Sequence, residues 1–393
     1  KYSVTVVNRA MGKDSGSIIS SINKTSSFVD NFNAAWLPLP SNKGGGLFIR
    51  VTDTNINTDA NQSVTSLKTS FGNLGAGCTP TTPSSTQSHS KIAFVSALDA
   101  TGLLFEHVNA SSLVVNVAPS LDPRATYRTL TNTSYLTYQC NVKYTNNKTT
   151  DRTKDKTKNR TTDRVKYINN ETTDRTTDRT LYRKTFLAST TTPDDVASWQ
   201  DQTTPMFPGR SQDCGTCVWF PEDNDSNATS IPPAYALVTV GGLRGGNITL
   251  SKSIDGLKTW KNLGAFLSTR QNEWDNRTLS SSACPVQLSN GNWLVLYNVD
   301  NKWPVEDPLP IPTYGRCALG WAVVDGKNLT HVLARSKVPL IYAKEPYDEG
   351  GEHGSVYTDG VRALGGDRFV VYVGGNDEVV EAVEIYVSVP DDI

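Results

Sequence analysis

Several things are scarce in this 393-residue chain, and each scarcity narrows what it can be. There are 2 Met and 4 His, and the formal net charge is −1. A chain so close to neutral has no global field to draw in nucleic acid or an anionic membrane, so neither partner is expected. No stretch approaches the roughly 18 consecutive apolar residues that a membrane helix needs. The four histidines, His89, His107, His331 and His353, are scattered, and Cys214-Gly-Thr-Cys217 has no second C-x-x-C to complete a zinc site. A structural disulfide is the better use of that pair, and no metal and no cofactor is expected. The chain opens at Lys1 without an initiator Met or a signal-like apolar run, which reads as a processed, soluble protein.

What is present points to strands. The sequence holds 29 Gly, 20 Pro, 15 Tyr and 8 Trp, a composition of many turns and a large aromatic core. Short apolar, β-branched runs recur at Tyr2–Val7, Gly46–Val51, Ile92–Ser96, Leu113–Val117, Tyr135–Tyr144, Ala236–Val240, Trp293–Tyr297, Leu319–Val324 and Phe369–Val373. Asp255-Gly256, Asn290-Gly291, Asp325-Gly326 and Asp359-Gly360 read as hairpin turns, because glycine accepts positive φ. The segments Ile248–Trp260 and Phe186–Trp199 share an order of strand, Ser/Thr-Asp turn and Trp, the mark of a blade-like internal repeat. The fold class is therefore all-β, built of meandering antiparallel sheets, with residues 1–393 forming one domain.

Residues 145–183 interrupt this pattern as an insertion. Between Thr149 and Thr180 the composition is that of a disordered segment, yet its residues alternate. Thr149, Asp151, Thr153, Asp155 and Thr157 occupy odd positions, and Arg152, Lys154, Lys156 and Lys158 even ones. Extended, this segment would carry a basic face and a Thr/acidic face. Residues 149–180 thus read either as a linker or as a hairpin-like arm that pairs with other copies through strand addition.

Six cysteines fit a secreted chain with disulfides whose connectivity spacing does not settle. Potential glycan acceptors in N-x-Ser/Thr sequons are Asn23, Asn61, Asn109, Asn132, Asn147, Asn159, Asn170, Asn224, Asn227, Asn247, Asn276 and Asn328. The expected location is extracellular, secreted or cell-surface.

A set of motifs in fixed order carries a resemblance. Asn272-Glu-Trp-Asp-Asn276, Cys284-Pro285, Tyr314-Gly-Arg-Cys-Ala-Leu-Gly-Trp321, Tyr347-Asp-Glu-Gly-Gly351 and Tyr372-Val-Gly-Gly-Asn-Asp377 follow one another, preceded by Phe32-Asn33, Ile49-Arg50 and Asp122-Pro123-Arg124. Together they resemble glycoside hydrolase family 130, the β-mannoside phosphorylases and mannosidases, whose fold is a five-bladed β-propeller. The resemblance implies an inverting mechanism with Asp122 as general acid, and a sugar subsite formed by Asn33, Arg50, Arg124, Asp348 and Asp377. Glu222 and Glu273 are the candidates for the carboxylate that activates water from the opposite face.

Read from the residues alone, Asp122 could be a turn residue before Pro123, and Arg50, Arg124 and Asp377 a buried charge network fixing the blades. The chain departs from the phosphorylase pattern. Phe220-Pro-Glu-Asp223 stands where the family has Phe-Pro-Glu-Lys, Ala236–Val240 lacks its His-Arg, and Leu121 replaces its usual Glu before the acid. Without that cationic cradle phosphate has little to hold it, so hydrolysis is expected over phosphorolysis. Three functions compete: a secreted glycosidase on β-mannosides or cell-wall glycans, a structural glycoprotein assembled into filaments or a sheath through residues 149–180, and a lectin-like module.

Overall fold

The computed structural model describes residues 1–10, 28–39, 44–53, 74, 90–99, 103–106, 112–115, 120–143, 181–202, 204–207, 215–221, 232–240, 246–300, 317–343, 354–375 and 379–390. Its strands form five antiparallel sheets arranged as the blades of a propeller. Strand β1 (Ser3–Ala10) comes from the N-terminus. The first blade holds β2 (Phe28–Pro38), β3 (Gly45–Asp53), β4 (Ser90–Ser96) and β5 (Leu113–Val115). The second holds β6 (Ser120–Arg128), β7 (Thr133–Lys143), β8 (Leu181–Thr190) and β9 (Gln200–Asp201). The third comprises β10 (Thr216–Trp219), β11 (Ala234–Val240), β12 (Asn247–Ser253) and β13 (Lys261–Leu267).

In the fourth blade β14 (Thr278–Ser281), β16 (Trp293–Asp300), β17 (Cys317–Val324) and β18 (Val332–Arg335) lie in order, with the short β15 (Val286–Gln287) on β16 and β19 (Ile341–Tyr342) on β17. The fifth runs outward from β20 (Val356–Gly365) through β21 (Arg368–Gly375) and β22 (Val379–Ser388) to β1. Both ends of the chain therefore share one blade and close the ring. The closure is locked by Arg9 of β1, whose Nε donates to Glu381 Oε2 of β22 at 2.6 Å.

The expected propeller is present, and each of the nine apolar runs overlaps a strand. Middle strands such as Trp293–Asp300 are buried along nearly their whole length, whereas the outer Lys261–Leu267 is mostly exposed. A middle strand is covered by the neighbouring blade on either face, so it reads as a continuous apolar run instead of an alternation. Five hydrophobic clusters fill the five interfaces between blades. Between the first and fifth blades Trp36 stacks on Tyr372 with ring centroids 5.6 Å apart. Between the first and second, Trp199 meets Phe48 edge-on at 5.2 Å.

The internal repeat corresponds to the turn leaving the third strand of a blade. Asp255 Oδ1 accepts from Ser253 Oγ, Lys258 N and Thr259 N at 2.9, 3.1 and 2.9 Å. A bond from the Thr259 hydroxyl to Oδ2, ahead of these others, holds its carboxyl down at about 2. In the second blade Asp195 Oδ1 accepts from Ala197 N at 3.0 Å, and Trp199 follows into the core. The expected turns at Asp255-Gly256, Asn290-Gly291 and Asp325-Gly326 connect neighbouring strands. Asp359-Gly360 does not: it lies inside β20, and the real turn is Gly365-Gly366-Asp367, all with positive φ. Gly360 is required for packing, since a Cβ there would lie 2.5 Å from the Ala34 carbonyl oxygen and the Trp36 nitrogen of β2.

Cys217 of β10 is a structural cross-link, as expected, but it bonds Cys284, just beyond β14, and so ties the third blade to the fourth. Cys140 is also disulfide-bonded. The segment expected as an insertion falls between the middle strands of the second blade, where Lys143 pairs with Leu181. The proposed arm at 149–180 lies outside the described residues.

Candidate functional site

Strands β2, β6, β10, β14 and β20 are the first of their blades and pack around the axis. In three of them the ladder slips: between Phe32 and Ala35, between Leu121 and Arg124, and between Thr358 and Gly360. A bulge leaves an extra residue unpaired and re-aims its side chain. The polar residues at these slips are Asn33, Asp122 and Asp359. Asn33 and Asp122 have φ of +53° and +48°, the left-handed region that Asn and Asp enter most readily among residues with a Cβ.

The bulges bring these side chains together. Asn33 Nδ2 donates to Asp122 Oδ1 at 3.0 Å. Asp122 is half-buried, while Asn33, Arg124 and Asp359 are buried. Arg124 Nη1 lies 2.6 Å from Asp359 Oδ2, yet neither Asp359 oxygen accepts a well-aligned hydrogen bond. The contact is therefore an ion pair without hydrogen-bond alignment. Arg124 spends its other donors on backbone: Nε on the Ser282 carbonyl at 2.7 Å, Nη2 on that of Ser281 at 3.0 Å, and Nη1 also on that of Pro123 at 3.0 Å. Gly215 lies against this guanidinium, and a Cβ there would come within 2.7 Å of Arg124 Cζ. Ser282 Oγ in turn donates to the Thr358 carbonyl at 2.7 Å. Arg124 thus joins the second, third, fourth and fifth blades at the axis.

Burial pushes the Asp359 carboxyl up to about 7 from an ordinary 3.8; Arg124 opposes the rise and the charge of Asp122 adds to it. Two carboxyls and one guanidinium leave this cluster a net negative charge when both acids are ionised. The arrangement therefore places a buried aspartate that holds its proton beside the half-buried Asp122.

The remaining expected site residues are placed as follows. Arg50 of β3 is buried, lies opposite Phe32 next to the Asn33 bulge, and donates from Nε to Ser90 Oγ at 2.9 Å. Glu273 is exposed in the loop between β13 and β14, its N–H donating to the Arg270 carbonyl at 3.2 Å. Its neighbour Asp275 is fully buried, and its oxygens accept from Arg270 Nε at 2.9 and 3.1 Å, from Tyr297 Oη at 2.9 Å and from Arg335 Nη2 at 2.5 Å. Glu222, Asp348 and Asp377 lie outside the described residues. Of the sequons, Asn132 and Asn328 are exposed, and Asn247 and Asn276 are half-buried. The others fall outside the described residues. Among the described residues no group of three or more His, Cys, Asp or Glu is placed to hold a metal ion.

Asp359 was not among the expected site residues. Its signal was the β-branched run Val356-Tyr-Thr-Asp-Gly-Val361, followed at once by a second and sufficient turn at Gly365-Gly366.

No protein-family model and no curated protein sequence matches the chain. Solved structures do. A β-1,2-mannobiose phosphorylase from Listeria innocua superposes with a TM-score of 0.60 at 16% identity, covering 97% of this chain and 96% of that one. A structure from work on the GH130 family of mannoside phosphorylases, which contains glycoside hydrolases that target β-1,2 mannosidic linkages in Candida mannan, gives 0.58 at 13% identity, with 97% and 94% covered. A glycosyl hydrolase from Bacteroides ovatus gives 0.56 at 13%, again with 97% and 94%. The chain has the five-bladed β-propeller fold shared by these mannoside phosphorylases and glycosyl hydrolases.

Proposed function

We propose that this protein acts on β-mannosides as an inverting glycoside hydrolase, with Asp122 as the general acid. The observation that carries the reading is the contact of Asn33 with Asp122 at the axis. Two residues 89 apart, each on a bulge with positive φ, place an amide donor on one oxygen of a half-exposed carboxyl. Asn33 fixes which oxygen faces outward, and that oxygen protonates the leaving glycosidic oxygen. The base that activates water from the opposite face is assigned to Glu222 or Glu273, and inversion needs such a carboxylate roughly 6.5–9.5 Å from the acid. The fully engaged Arg124 holds the blades in register around the acid.

Several further points support hydrolysis, a glycan ligand and passage through a secretory route. Phe220-Pro-Glu-Asp223 and Ala236–Val240 lack the cations of a phosphate cradle. Solved relatives of the same fold are described as acting on β-1,2-mannosides. The Cys217–Cys284 disulfide and the exposed sequon residues Asn132 and Asn328 fit an oxidising, glycosylating compartment.

Incubating the protein with β-1,2-mannobiose, with and without inorganic phosphate, tests this reading by proton NMR of the first product formed. Mannose of inverted configuration, released at a rate independent of phosphate, supports it. Mannose 1-phosphate would refute hydrolysis, and binding of the disaccharide without turnover would favour the lectin-like reading.

A further inference from the structure

The fourth and fifth blades share a packed cluster that includes Leu319, Val323, Val371 and Ile385, yet they part at the rim. An open groove of about 860 Å³ lies there, between β1, the outermost strand of the fifth blade, and the stretch from β18 to β19 on the outer edge of the fourth. The walls are pinned in place. Tyr2 Oη, at the start of one wall, accepts from Asn290 Nδ2 at 2.7 Å, and Arg335 on the other is tied to Asp275. Asn33, Asp122 and Asp359 stand on the first strands of their blades, so the groove is separate from the axial cluster.

The lining is mostly aliphatic: Val4, Pro339 and Ile341 stand beside the exposed Val6, Leu333 and Val338. Its charged residues are all cations, Lys1, Arg9, Arg335 and Lys337. Arg9 is countered by Glu381 and Arg335 by Asp275. Lys1 and Lys337 are exposed, and no acid among the described residues pairs with either. The groove thus joins an apolar surface to uncompensated positive charge.

We infer that this groove binds a free anionic amphiphile, its single alkyl chain lying along the aliphatic walls and its carboxylate or sulfate met by Lys1 and Lys337. The volume falls within the roughly 300–1,000 Å³ of pockets that enclose a small molecule, and such pockets are likewise mostly apolar, with a few polar groups fixing orientation. A peptide strand fits less well. β1 is bulged between Val6 and Asn8 and β18 spans only Val332–Arg335, and a bulge interrupts the row of backbone groups that strand addition requires. A sugar chain would bury hydroxyls against walls that offer few partners.

Isothermal titration calorimetry with dodecanoate, below its micellar concentration, tests this on the whole chain. Dodecanoate should bind one-to-one, and octanoate, four methylenes shorter, more weakly by on the order of 10²-fold. Dodecyltrimethylammonium, with the same chain and a cationic head, should bind more weakly than dodecanoate by roughly tenfold. Val338→Asp should weaken dodecanoate by roughly tenfold or more, and Lys337→Glu by about 3- to 10-fold with loss of the preference for the anion. Ile254→Asp, at an 80% exposed site in the third blade, should change nothing.

Failure of dodecanoate to bind saturably would overturn the inference, as would equal affinity for the two head groups or a Val338→Asp variant that binds like wild type. Sedimentation separates the other occupants. Wild-type dimers abolished by Val338→Asp would assign the groove to a second copy of the chain, and attachment to phosphatidylglycerol vesicles without binding of free dodecanoate would assign it to a membrane surface; either result replaces the amphiphile. Val338 and Lys337 are exposed, so neither variant lies in the core. The comparison of chain lengths and head groups on the unaltered protein stands even if one of them fails to fold.

Discussion

Two buried aspartates, Asp275 and Asp359, both face arginine, and the contrast between them separates structure from chemistry in this molecule. Asp275 accepts from two arginines and a tyrosine, so both its oxygens are satisfied. Arg335 also donates to the Ser268 carbonyl at 2.7 Å and lies 4.9 Å over the Tyr297 ring, whose hydroxyl burial pushes up to about 12. One acid with two guanidiniums makes a closed lock joining the third and fourth blades. Asp359 faces one guanidinium in poor alignment, and neither of its oxygens accepts an aligned hydrogen bond. The same residue types, in a different ratio of charges, give a rigid clamp in one place and a buried carboxyl held above its ordinary range in the other.

The largest expected effect is on turnover. Asp122→Asn should reduce β-mannoside hydrolysis by roughly 10²–10⁴-fold, with the urea midpoint almost unchanged; full activity in this variant would remove the acid from the axis. Asp275→Ala should do the opposite and destabilise by about 3–5 kcal/mol, because it strands two arginines in a largely buried site. Urea unfolding reads this, and an unchanged midpoint would mean that the lock carries no stability.

A smaller loss is expected from Arg335→Lys, about 1–3 kcal/mol, since the charge stays but the fork and the stacking on Tyr297 go. The smallest signal is a slope. Asp359 has an ordinary value of 3.8 and a folded value of about 7, so on raising the pH the unfolded chain loses this proton first. Its contribution to stability is fully present below about pH 4 and is lost as pH rises through about 7. Asp359→Asn should flatten the fall in stability across that window, as measured by unfolding at several pH values; an unchanged slope would place the titration elsewhere.

Much of the architecture is legible in the order of residues along the chain. Apolar β-branched runs became strands because a blade offers each strand the same sandwich of neighbours, and the Asp255 and Asp195 turns recur because each closes the same hairpin through its own side chain. The site was legible only in part. Asn33, Asp122 and Arg124 stood in short motifs, but Asp359-Gly360 followed the local grammar of a turn, and only its packing against Ala34 and Trp36 makes it a bulged strand. Spacing left the partner of Cys217 open, and the fold gives it Cys284, 67 residues away.

Composition and short-range pattern by themselves determined the all-β class and the blade repeat, because hydrogen-bonded strands and tight turns depend on residues close in sequence. The closing of the ring, the meeting of Asn33, Asp122, Arg124 and Asp359, and the balance of charge around each buried aspartate were decided by the tertiary structure alone. Desolvation and ion pairing depend on which distant strands come to share the axis, and no local stretch of the chain encodes that.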